Sequence, residues 1–157
     1  MNGFSGSFLL HRIVPEGSSR WAILFFLGYL LFGLTLVDDY GLGWDEQFDR
    51  IDNGSTVYNF VVHGEKQAYI DCAEKYHGPA IQLPLYALER LFQLSDSRAI
   101  HLFRHTCTFL LFFVSAIAFY LLIRRLYAPS WIAFIAVVFY IFSPRIFADS
   151  FYNSKDL

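Results

Sequence analysis

Two adjacent carboxylates, Asp45 and Glu46, follow a tryptophan in the stretch GLGWDEQFDR, residues 41–50. Neighbouring carboxylates repel each other, and their combined negative potential can recruit a divalent cation, which prefers oxygen ligands. Glu46 also precedes Arg50 by four residues, the spacing of an ordinary ion pair on a helix surface. The sequence therefore leaves two interpretations of Glu46 open, a role in a site or a structural pair with Arg50.

A single arginine, Arg104, stands inside a long apolar run and is the second residue that could do chemistry. A cation at membrane depth is costly unless it snorkels to the interface or meets an anion, so such an arginine is by default a functional hypothesis. We consider two roles for Arg104, contact with an anionic ligand and snorkelling to lipid phosphate. His101 and His105 stand four residues apart, but without a third ligand this is a weak metal signal.

The composition is that of a membrane protein. Of the 157 residues, 55% are hydrophobic and 17% are charged, whereas about 25% are charged in soluble domains. The net charge of −2, with no basic patch interleaved with aromatic residues, argues against a nucleic-acid partner. The two cysteines, Cys72 and Cys107, lack metal-ligand spacing and are interpreted as small apolar fillers.

Three apolar segments predict three transmembrane helices, at about residues 21–37, 98–123 and 129–146. The first segment lacks a cleavage site of small residues, so we expect an uncleaved anchor rather than a signal peptide. In the third segment Pro144 interrupts the helix, because proline cannot donate a backbone hydrogen bond. The predicted fold is an all-α integral membrane domain.

The distribution of basic residues predicts the orientation of these helices. Arg12 and Arg20 precede the first span, and Arg124 and Arg125 occupy the short connection between the second and third. Such residues favour the cytoplasmic side. The amino terminus is then cytoplasmic, while the loop of residues 38–97 and the carboxy-terminal tail share the extracytoplasmic side.

The long outer loop should contain amphipathic helices lying at the membrane surface. Asp45, Asp49 and Asp52 recur at i, i+4 and i+7 and would share one side of a helix, and for Asp49 and Asp52 we expect a solvated face. Residues 78–94 carry Glu89 within an apolar helical stripe. The members of that stripe are Ile81, Leu85, Leu88, Leu91 and Phe92.

Several of these features together resemble a known family. The loop opens on WDE, a surface helix is entered through YHGP, the second span follows DSRAIHLFRH, an RR turn is cytoplasmic, and the third span ends in SPRIFADSFYNSKD. This order resembles the amino-terminal part of type C glycosyltransferases, in the branch of protein O-mannosyltransferases and lipid A aminoarabinose transferase. The resemblance covers residues 21–157 but only the first few of the family's eight or more spans. It implies that residues 1–157 are the amino-terminal fragment of a larger polytopic membrane domain.

The resemblance implies an enzyme that takes a sugar from a polyprenyl phosphate donor, inverts its anomeric carbon and transfers it to a protein or lipid acceptor. The reaction would take place outside the cytoplasm, at the bacterial inner membrane or in the endoplasmic reticulum. In the family, the aspartate of the acidic pair is the proposed general base, and Asp45 matches it, with Glu46 beside it. Asp156 matches the acidic residue after the third span, which orients the acceptor or holds a metal. Asp45, Glu46 and Asp156 are thus the candidate ligands for a divalent cation.

The departing phosphate requires cations, and the resemblance suggests where they lie. A basic residue before a proline in the second surface helix approaches the donor phosphate in related enzymes. The segment KYHGP matches loosely and offers Lys75 and His77, although it departs from the Lys-Pro-Pro form of the aminoarabinose branch. Arg104 is the third candidate for the phosphate.

A different class of protein also fits the composition. A small non-enzymatic membrane subunit, or a fragment of a transporter, could carry an acidic outer loop that gathers cations. The enzyme requires further spans and an outer domain, whereas the subunit does not.

Overall fold

The computed structural model of the chain describes residues 19–73, 75–76, 79–127 and 130–152. Within these ranges every regular element is a helix, which confirms the all-α prediction. In chain order the described elements are α1 (Ser19–Leu36), α2 (Glu46–Phe48), a π-helix (Asp49–Ser55), α3 (Thr56–His63), α4 (Lys66–Asp71), α5 (Gln82–Leu91), α6 (Ser97–Leu126), α7 (Ser130–Phe142) and α8 (Pro144–Tyr152).

Helix α6 is the longest described element, and α1, α5, α7 and α8 pack against it. It begins where the side chain of Asp96 accepts a hydrogen bond from the backbone N–H of Ala99 at 2.9 Å, which satisfies one of the free donors at a helix start. It ends at Leu126, and the backbone of the next residue, Tyr127, is extended. At about 1.5 Å per residue its 30 residues are about 45 Å long. The helix therefore exceeds the predicted span of residues 98–123 at both ends.

The core lies where α1, α7 and α8 meet α6. Apolar side chains three or four residues apart form a stripe on each helix, and these stripes interdigitate. The buried members of the core are Ala22, Phe26, Tyr29, Val37, Phe109, Phe112, Ala116, Tyr120, Ala133, Val137, Ile141 and Phe151.

By length and apolar composition, α6 is the one described helix that could cross a membrane alone. Helices α7 and α8 would add a second crossing only if they are taken together as one span bent by 64°. The apolar part of α1, Arg20–Leu36, is shorter. The helices predicted at residues 21–37 and 98–123 thus have counterparts in α1 and α6.

The third predicted span, residues 129–146, coincides with two helices and a sharp bend. Helix α7 ends at Phe142, and α8 begins with Pro144 after a break at Ser143. The missing N–H of proline interrupts the hydrogen-bond ladder, and the carbonyl of Ser143 accepts from the N–H of Phe147 at 2.8 Å to start the new helix.

Gly33 allows α1 to approach α6 closely. A Cβ built on Gly33 would overlap the ring of Phe109, which is fully buried and stacks on Phe151 with ring centroids 5.2 Å apart. Because the ring is held on both sides, it cannot move aside cheaply.

We expect Gly33→Ala to destabilise the protein by about 1–3 kcal/mol, the usual effect of overpacking. Gly28→Ala is the matched control, because a Cβ there meets no atom within 4 Å. Denaturant unfolding in detergent micelles measures both. Equal stability of the two variants would contradict the tight contact between α1 and α6.

The described part of the segment between α1 and α6 folds as short helices that pack on each other. Gly54 of the π-helix is buried, and a Cβ there would stand 3.3 Å from Cβ of Tyr86 on α5. π-Helices are rare and often mark functional sites. The face that α5 buries is Gln82, Leu85 and Glu89, whereas Leu91 is 71% exposed. The predicted apolar stripe of α5 therefore coincides only in part with the face that α5 buries. Leu85 belongs to both, whereas Leu91 is exposed.

Candidate functional site

The carboxylate of Glu46 lies against the amino-terminal half of α6. Its Oε1 is 2.8 Å from Nε2 of His105 and 4.0 Å from Nδ1 of His101, and its Oε2 accepts a hydrogen bond from the backbone N–H of Gly43 at 2.9 Å. The angle at His105 is not that of a hydrogen bond, although the distance is that of an ion pair.

A buried group of charges links the π-helix and α5 to the same stretch of α6. Nη1 of Arg104 donates to Oε1 of Glu89 at 2.5 Å, and Nε of Arg50 donates to Oε2 of Glu89 at 2.7 Å. The amide oxygen of Gln82 accepts from Nη2 of Arg104. The side chains of Arg104 and Glu89 are 3% and 1% exposed, so their charges are removed from solvent and compensate each other.

An open cavity of about 510 Å³ lies at the amino-terminal end of α6. Its walls combine charged, imidazole and apolar groups. An exposed ion pair between Arg98 and Asp38, with an N–O distance of 2.9 Å, lies at this cavity. The lining residues used below are Asp38, Tyr40, Arg98, His101 and His105.

Residues that follow α1 and residues at the end of α8 meet beside this site. The ring of Tyr40 stacks on Phe151 with centroids 4.5 Å apart, and it lies 6.1 Å from the ring of Tyr152. A Cβ built on Gly43 would stand 3.1 Å from Cδ2 of Tyr152. The start of the outer loop and the end of α8 are therefore on the same side of the helix bundle.

The predicted site residues occupy different environments. Asp45 is exposed and makes no ion pair within the described part of the chain, while its neighbour Glu46 has 10% side-chain exposure. Lys75 donates from Nζ to the carbonyl of Ile70 at 2.6 Å. His77 and Asp156 lie outside the described residues.

These contacts bear on one open alternative, the pairing of Glu46 with Arg50, and correct one expectation, the solvated face for Asp49. Arg50 pairs with Glu89 rather than with Glu46 on its own helix. Asp49, expected on a solvated face, is only 6% exposed and accepts from Nδ2 of Asn53 at 3.3 Å. The pairing of Arg50 differs because α5 packs on this segment and brings Glu89 to it.

No group of three histidine, cysteine, aspartate or glutamate side chains among the described residues is placed to hold a metal ion. Glu46 and Asp45 point to different surroundings, since one faces α6 and the other is exposed. Asp156, the third predicted ligand, is outside the described ranges, so the divalent cation stays a prediction.

Sequence reasoning missed Glu89 and His105 as parts of this site. The signal for Glu89 was available, because Arg104 in an apolar helix needs an anion and Glu89 is an anion in another apolar helix. For His105 the sequence offered less, since its partner Glu46 is 59 positions away and only the fold brings them together.

Comparisons of the chain with models of protein families, with curated proteins and with solved structures find no match.

Proposed function

We propose that the chain is the amino-terminal part of an integral membrane glycosyltransferase that uses a polyprenyl-phosphate-linked sugar. The observation that carries the proposal is the exposed carboxylate of Asp45 beside Glu46, whose own carboxylate touches two histidines lining an open cavity. A cavity with polar and apolar walls suits a substrate with a polar head and a lipid tail.

In the proposed membrane arrangement, α1, α6 and α7 are the three spans and the amino terminus is cytoplasmic. Large apolar side chains on their outer faces support it, because contiguous exposed apolar surface marks a lipid or protein contact. Examples are Trp21, Leu31, Leu121, Leu126 and Phe139, which are 52–74% exposed. The outer loop and α8 then lie outside the cytoplasm, at the bacterial inner membrane or in the endoplasmic reticulum.

In the proposed reaction, Asp45 accepts the proton of the acceptor hydroxyl. The hydroxyl oxygen forms a bond to the anomeric carbon while the bond from that carbon to the phosphate oxygen breaks, and the electron pair leaves with the polyprenyl phosphate. Attack from the face opposite the phosphate inverts the configuration. Asp156 would orient the acceptor, and it follows Tyr152, whose ring lies beside Gly43, by four positions.

The donor phosphate needs a cation at the cavity. Arg104 could serve only after release from Glu89, and Nζ of Lys75 is bonded to a backbone carbonyl. Arg98 lines the cavity and its side chain is 76% exposed, so we place the first phosphate contact there. A phosphate would replace Asp38 as the partner of Arg98, since a guanidinium binds phosphate and carboxylate with the same fork of donors.

A transfer assay with the complete natural polypeptide tests this function. The purified protein in lipid vesicles is supplied with polyprenyl phosphates carrying different sugars, and with protein and lipid acceptors. We expect a product whose anomeric configuration is opposite to that of the donor. A membrane subunit without catalytic activity would give no product with any donor, and a product of retained configuration would contradict a direct displacement.

A further inference from the structure

Two side chains one helical turn apart in the outer loop attach to two consecutive residues of α6. Glu46 contacts His105 directly at 2.8 Å. Arg50 reaches Arg104 through Glu89, with nitrogen–oxygen distances of 2.7 and 2.5 Å. The segment between Glu46 and Arg50 is therefore fastened to α6 at both of its ends.

The residues that make this attachment are buried, whereas the adjacent turn is exposed. The side chains of Arg104, His105 and Glu89 are 1–3% exposed, whereas Trp44 is 90% exposed and Asp45 is also exposed. The buried hydrogen bond between Arg104 and Glu89 is strong because little water screens it. The exposed turn that carries Asp45 is thus connected to a segment that buried contacts hold against α6.

Asp45 itself makes few contacts that would fix the position of its carboxylate. Its carboxylate makes no ion pair in the described ranges, and its backbone carbonyl accepts from the N–H of Asp49 at 2.9 Å. Its neighbours supply the remaining constraint, since the N–H of Gly43 donates to Oε2 of Glu46 and closes the turn around Trp44.

We propose that Glu46, His105 and Glu89 are positioning residues, and that this two-point attachment to α6 determines where the carboxylate of Asp45 stands. The inference rests on the proposed function in one respect, the role of Asp45 as the base. Glu46 then acts through its contacts with His105 and Gly43 rather than as a metal ligand or a second acid. A base displaced by about 1 Å loses on the order of 10²-fold in rate.

The attachment can be measured without any assay of activity, because Trp44 reports on the turn. Trp21 and Trp131 are replaced by phenylalanine so that Trp44 is the single tryptophan among the 157 residues, and its time-resolved fluorescence anisotropy is recorded. We expect His105→Ala and Glu89→Ala to add a fast, large-amplitude motion. His105→Gln, whose amide nitrogen can donate to Glu46, should keep the slow decay of the parent protein. Arg90→Ala, on the exposed side of α5, is the control.

The same variants are then compared in sugar transfer. We expect His105→Ala to lower kcat by about 10²-fold with little change in the apparent donor constant, and His105→Gln to restore most of the rate. Unchanged anisotropy in both alanine variants would overturn the attachment, and so would faster motion of Trp44 in His105→Gln equal to that in His105→Ala. If Trp44 becomes mobile while kcat stays normal, the attachment does not determine the position of the Asp45 carboxylate. If the parent protein transfers no sugar, the proposed function fails while the anisotropy still decides the attachment.

Discussion

Asp45→Asn is expected to lower sugar transfer by about 10²- to 10⁴-fold, which is the contribution of a general base. Asparagine has nearly the same shape as aspartate, but its amide cannot accept the proton of the attacking hydroxyl. Folding should be unaffected, because Asp45 is exposed and makes no ion pair within the described ranges. Transfer from the polyprenyl phosphate donor and circular dichroism of the purified variant measure the two effects.

The control for this variant is Asp39→Asn, which makes the same chemical change at another exposed position of the loop. It should retain the parent rate, since nothing in the proposed mechanism uses Asp39. Near-normal turnover by Asp45→Asn would refute the assignment of the base. An equal loss in both variants would show that loop charge, rather than one carboxylate, supports the activity.

Glu89→Ala is expected to lower the free energy of unfolding by about 3–5 kcal/mol, because it leaves buried arginine charge without its anion. Arg104 is 3% exposed and cannot recover its hydration without opening the contact between α5 and α6. Arg50, with 28% side-chain exposure, can turn toward water and so contributes less of the loss. Denaturant unfolding in detergent micelles measures the difference.

Two variants separate charge from shape at this position. Glu89→Gln keeps the volume and one hydrogen-bond acceptor, so its loss should lie between those of the parent and Glu89→Ala. Exchanging both partners for apolar residues, Glu89→Leu with Arg104→Met, should recover stability relative to Glu89→Ala, since no charge is then left unpaired. If Glu89→Ala unfolds at the same denaturant concentration as the parent, the buried network is not a stabilising contact.

The helices of the bundle could be predicted because their signal is local. An uncharged run of residues 21–37 and the longer run around residues 98–123 specify α1 and α6 within a few residues, since apolar length alone determines such helices. The bend at Ser143 was only partly predictable. Pro144 indicated an interruption, but the 64° change of direction depends on how α8 packs back against α6.

The site could be predicted only in part, because its contacts join distant positions. The sequence indicated that Asp45 and Glu46 are adjacent acids and that Arg104 needs an anion. It did not indicate that Glu46 would face His105 or that Glu89 would serve Arg50 and Arg104 together. The burial of Asp49 was mispredicted for the same reason, since a helix surface becomes an interface only when another helix covers it.

The shortness of α7 has a consequence for the surrounding lipid in the proposed membrane arrangement. Its 13 residues are about 20 Å long, whereas the hydrocarbon layer of a bilayer is about 30 Å thick. Lipids beside a short helix adapt by thinning, at a cost of fractions of a kcal/mol per ångström. Because the chain changes direction at Ser143, this local thinning of the bilayer would lie next to the outer end of the bundle. A carrier lipid anchored there would bring its head group nearer to the protein without leaving the bilayer.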